Sequence, residues 1–134
     1  MEAKVKHLEM IQAIISRMAH NSFLIKGWSV TLTVAIFVLA GNESGSKMVF
    51  LALLPAVIFW GLDGYFLRQE RLFRKLYDEV RVLEESEITF SMNTAPYQNE
   101  TASWFAVVFS ETLFAFHIPI VAVILIAGIY LTFP

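Results

Sequence analysis

The chain has no cysteine, which excludes disulfides, thiolate metal ligands and thiol nucleophiles and leaves the redox compartment unreadable. It also has no HExxH, no GxSxG and no glycine-rich loop able to cradle phosphates, the patterns that would carry metal, serine or nucleotide chemistry. The three histidines, His7, His20 and His117, are scattered, and the nearby acids fall at no metal-ligand spacing. Ser110 and His117 are residue types used in nucleophilic catalysis, but seven positions on a helix separate them by about 10 Å. The expectation is a non-enzyme with no cofactor and no metal. No cleavable signal peptide is expected, because the first apolar run leads to no small-residue cleavage site in polar sequence.

Charge is scarce as well. Only 16% of the 134 residues are charged and 57% are hydrophobic, whereas a soluble domain has about a quarter charged and about half apolar. Twelve phenylalanines and long uncharged runs fit a bilayer better than a water-soluble core. The net charge of −2 names no partner by itself. The composition therefore predicts an all-α integral membrane protein with three transmembrane helices.

The first span reads FLIKGWSVTLTVAIFVLA, residues 23–40, with Lys26 close enough to its start to snorkel beside Trp28. GNESGSK, 41–47, follows as a short polar loop, and MVFLALLPAVIFWGLDGYFL, 48–67, forms the second span. Pro55 is expected to kink it. The third apolar stretch, 103–133, would reach about 46 Å as one helix, against a hydrocarbon core of about 30 Å. It divides into 103–117, lying on the membrane surface or packed inward on protein, and a span at 118–134 that starts at Pro119. One continuous, kinked helix is the alternative. Of ten lysines and arginines only Lys47 lies in the 41–47 loop. The positive-inside rule thus puts the N-terminus and residues 68–102 in the cytoplasm and the C-terminus outside, which would be the periplasm if the membrane is a bacterial inner membrane.

Two segments outside the spans have helical periodicity. Residues 1–22 carry Leu8, Ile11, Ile15 and Met18 on one face, which predicts an amphipathic helix on the membrane, on a neighbouring helix or in an oligomer contact. The remainder, 23–134, would be the transmembrane domain. No Gly or Pro interrupts 65–86, so the second span is expected to continue as a helix to about residue 85. Its apolar stripe is Leu72, Phe73, Leu76, Tyr77, Val80 and Leu83, and Glu70–Arg74, Lys75–Glu79 and Arg81–Glu85 are spaced i,i+4. Residues 86–102 read as a polar loop with a short extended piece at 88–91.

Several charges are left to explain. Arg68 and Arg71 have no acid four residues away, and with Arg74 and Lys75 they form a basic row just beyond the second span. Such a row would bind an anionic ligand or lipid headgroups. Asp63, Glu111 and His117 fall at or near membrane depth, where ionisable groups are costly. They are the candidates for a pore or gate. For Asp63 the plainer role is a salt bridge to Arg68, and for Glu111 and His117 exposure at headgroup level. Gly61 and Gly64 would permit close helix approach. Three spans cannot enclose a water-filled path, so conduction would require a homo-oligomer, a closed ring of copies.

HLEMIQAIISRMAHNSFLIKGW, residues 7–28, and FWGLDGYFLRQERLFRKLYDEVR, residues 59–81, together resemble the channel subunits of the bacterial Hailong anti-phage defence system. The resemblance covers most of the chain and includes no catalytic motif. It implies a tetrameric inner-membrane channel that acts as a toxic effector, held closed by single-stranded DNA oligomers made by a partner nucleotidyltransferase. Ten bases against twelve acids offer DNA no bulk attraction, so binding would need a local basic surface. The alternative function is a non-conducting membrane adaptor that recruits a soluble partner through its amphipathic helices.

Overall fold

The computed structural model describes residues 1–42 and 46–133, and within them the chain is helical, with no strand. Helix α1 runs from Glu2 to Asn42 without a break. A 3-10 segment, Ser46–Ala52, leads into α2, Leu53–Val82. Two short 3-10 turns, Glu85–Glu87 and Ala95–Tyr97, interrupt the linker that follows. Helix α3, Trp104–Val108, and helix α4, Glu111–Thr132, complete the chain. Three helical segments are long and apolar enough to cross a membrane: α1, the 3-10 segment with α2, and α4. This is a membrane protein with three candidate spans. The middle of the expected 41–47 loop lies outside the described residues, as does Pro134.

At 1.5 Å per residue α1 is about 60 Å long, roughly twice the hydrocarbon thickness of a bilayer. Its charged half must therefore project beyond the lipid. Helices α1 and α2 pair as an antiparallel hairpin, since Lys4 meets Arg81 and Leu83 at one end and Ala40 packs with Val49 and Ala52 at the other. At the charged end Ile11, Ile15, Leu76, Val80 and Ile88 form a core, against which Leu8, Phe73, Tyr77, Leu83, Met92 and Tyr97 pack. The periodic stripes read from both segments thus face each other, and the linker closes over them.

Local chemistry accounts for the helix ends. Helix α2 stops at Val82, short of the expected residue 85: Leu83 turns to an extended conformation, φ −82° and ψ 149°. Lys4 donates to the carbonyls of Arg81 and Leu83, at 2.9 and 2.6 Å, placing a cation on the negative end of the helix dipole. Pro55 produces no mid-span kink, because α2 begins only at Leu53. Proline in a first turn lacks an N–H that would be unbonded anyway. The third apolar stretch divides at Phe109–Ser110, not at 117/118, and is not continuous. Ser110 adopts φ −70° and ψ 156°, its hydroxyl donates to Val107 O at 2.7 Å, and its carbonyl accepts from Phe114 N at 2.9 Å. A serine followed by an acid suits a helix start. Pro119, expected to open a helix, lies inside α4.

The linker is more ordered than a polar loop would be. Ile88 is extended, but Phe90 turns the chain at φ 59° and ends the expected 88–91 piece. Of the expected i,i+4 pairs, Glu70–Arg74 forms at 3.3 Å. Glu79 instead accepts from the Tyr97 hydroxyl, and Glu85 pairs with the N-terminal amine. Contacts with distant chain segments outcompete weak surface pairs.

Candidate functional site, a buried ionisable centre joining three spans

Asp63 is completely buried on α2. It does not pair with Arg68. Its Oδ2 accepts from Lys26 Nζ of α1 at 2.6 Å and from His117 Nε2 of α4 at 2.7 Å, and its Oδ1 accepts from the Ser22 hydroxyl. Lys26 Nζ also donates to Ser22 Oγ at 2.8 Å. One carboxylate on α2 thus collects donors from the other two candidate spans, α1 and α4. An ionised carboxylate only accepts, so the Nε2 of His117 carries the hydrogen in this contact.

The helices dictate the arrangement. Ser22 and Lys26 are four apart and share one face of α1. In the antiparallel hairpin they reach the level of Asp63, since Lys26 and Asp63 are nearly equidistant from the connecting loop. The break at Phe109–Ser110 starts α4 early enough for His117 to reach the same level. Trp60, one turn before Asp63, stacks on the His117 ring, with centroids 5.7 Å apart and planes 6° from parallel. Lys26 Nζ also lies 5.8 Å from the centroid of the Phe116 ring. The rings and helices shield the centre, and removing one member would leave another charge buried without compensation.

Helix α3 holds the second side. Trp60 Nε1 donates to Val108 O at 2.8 Å, and Trp104 Nε1 returns a bond to Gly61 O at 3.0 Å. Gly61 and Gly64 do permit close approach, and α3 is what approaches: a Cβ on Gly64 would lie 2.5 Å from Val108 Cγ2. Gly128 serves α4 in the same way, because the Phe50 ring occupies the space its side chain would need.

The sequence candidates therefore separate. Asp63 and His117 come together, and His117 is buried, not exposed as expected. Glu111 stays exposed in the first turn of α4, outside the centre. In the basic row, Arg68 is occupied by the linker, donating to Gln98 Oε1 at 2.8 Å and Ala102 O at 3.1 Å. Arg74 pairs with Glu70, whereas Arg71 and Lys75 make no salt bridge among the described residues. Sequence reasoning missed Ser22 and Trp60 and read Lys26 as a snorkelling residue. The near-symmetric placement of Lys26 and Asp63 about the loop was the available signal.

The class defined so far is a helical membrane protein with a charged centre shared by its spans. No protein-family model matches the chain, and no curated protein or solved structure matches it.

Proposed function

We propose that the protein is an oligomeric channel subunit of a bacterial inner membrane, gated from the cytoplasmic side. The observation that carries this reading is the Lys26–Asp63–His117 centre. Ionisable groups at membrane depth are costly and mark ion pathways or gates, and this one lies on α1 and α2, the two helices that continue into the charged hairpin. A displacement of that hairpin would therefore act on the centre through rigid helices. Since three spans enclose no path, copies of the chain would complete the pore, with Asp63 and His117 at the gate and the N-terminus and linker in the cytoplasm.

The gating ligand proposed is anionic, in line with the Hailong resemblance: a single-stranded DNA oligomer that holds a tetramer closed in anti-phage defence. Arg71 and Lys75, with no salt bridge among the described residues, are its first contacts, with Arg74 beside them. Lipid headgroups would compete for the same residues. The protein acts without catalysis.

The test is ion flux through the purified chain in liposomes, with and without short single-stranded DNA. Flux that DNA suppresses, and that survives DNA in an Arg71→Glu/Lys75→Glu variant, supports the gated channel. Absence of flux from folded, oligomeric protein moves the reading to the membrane adaptor. The separate apolar core of the charged hairpin favours that second reading, because a folded knob offers a soluble partner a fixed surface.

A further inference from the structure

At the charged end of the hairpin a cavity of about 290 Å³ opens between α1, α2 and the linker. Its lining includes His7, Glu79, Glu87, Phe90, Asn93 and Tyr97, and no lysine or arginine. His7 is 4% exposed, and its Nε2 has no hydrogen-bond partner among the described residues. A buried polar atom left unpaired is costly, so it marks a place where a partner belongs. The Phe90 ring meets the His7 ring edge-on, with centroids 5.4 Å apart. Phe90 does so from φ 59°, a left-handed conformation that a bulky residue rarely adopts and that clusters at ligand clamps. Lys4 is close by in the hairpin, but its ammonium is occupied by the carbonyls that end α2.

We propose that this cavity is a binding site for a small organic cation bearing a primary amine. Glu79 and Glu87 supply negative charge, and a protonated amine can satisfy charge-assisted hydrogen bonds that an anion could not. Phe90 and Tyr97 bring aromatic rings to the lining, and an aromatic face attracts a cation. A neutral His7 Nε2 can accept from a second amine hydrogen. The cavity is about the size of a small-ligand pocket, and an occupant would tie the linker to both long helices. The site is separate from the Asp63 centre and from the basic row, and does not rest on the channel reading.

The probe is 1,4-diaminobutane, titrated calorimetrically into the full chain in an uncharged detergent, with sodium phosphate as the opposite-charge comparison. Saturable diamine binding with no phosphate binding is expected. Glu87→Gln, at an exposed position, should weaken it about tenfold through loss of one charge-assisted bond. Glu84→Gln makes the same charge change outside the cavity and should leave the affinity unchanged. His7→Leu should weaken binding as well, and if it fails to fold, the Glu87 and Glu84 pair decides the matter. No saturable diamine binding to folded wild-type protein overturns the proposal. So does equal weakening by Glu84→Gln and Glu87→Gln, no weakening by either, or binding of phosphate in preference.

Discussion

The charged end of the α1–α2 hairpin and the stretch around Asp63 are held together by opposite chemistry, while a second apolar cluster of Ala40, Val49, Ala52, Ala56 and Ile124 closes the loop end. At the charged end apolar residues face inward, with Ile11, Ile15 and Leu76 nearly inaccessible. Along the candidate spans the outward surface is apolar, with Phe23, Trp28, Val34, Leu54, Val57 and Ile126 all exposed, while Asp63, Lys26 and His117 meet inside. The surroundings explain the inversion. Water drives apolar side chains together, but lipid tails are as apolar as leucine, so between spans the hydrophobic effect offers little. Close packing at small residues and polar bonds take its place. A single pair of helices changes its means of cohesion along its length.

Substitutions can break this comparison, and the largest effect should fall on the polar centre. Asp63→Ala leaves the buried His117 and the partly buried Lys26 without their acceptor and should cost about 3–5 kcal/mol, seen as a lower unfolding midpoint in detergent. Asp63→Asn keeps the size and part of the hydrogen bonding, so it should lie between the two. If Asp63→Ala unfolds with the wild-type midpoint, the centre does not hold the spans. Next comes the apolar core: Ile15→Ala should cost about 2–4 kcal/mol. Its loss of amide protection should be confined to residues 2–20 and 72–92, leaving α4 as protected as before.

Smaller effects sharpen the boundary between the regions. Gly64→Ala forces a Cβ against Val108 and should cost about 1–3 kcal/mol. The accompanying readout is a change in tryptophan fluorescence as Trp104 leaves Gly61. Lys4→Ala removes the cation from the end of α2 and should cost about 0.5–1 kcal/mol, visible as faster exchange at residues 80–83 alone. A global loss of stability in Lys4→Ala would show that the two ends are not separate units.

Much of the helical organisation was legible in the residues. Apolar runs marked three spans, and the four-residue spacing of Ile11 and Ile15 and of Leu72, Leu76 and Val80 marked the faces that became buried. Helix ends were less so: Val82 ends α2 because Lys4, distant in sequence, caps it, and Ser110 divides the last stretch where Pro119 was the more visible breaker. The site was legible in its members but not in its bonds. Asp63 and His117 stood out as charges at membrane depth, yet Arg68, the partner nearest in sequence to Asp63, turns to the linker instead.

Sequence alone determined what depends on local pattern, namely the membrane class and the three long apolar helices. The tertiary structure alone decided which ionisable groups meet. Helix rotation and the register between helices are set by packing across the whole hairpin and by where α4 begins. A buried carboxylate takes the donors that this geometry brings within reach, so the partners of Asp63 come from helices far away in the chain.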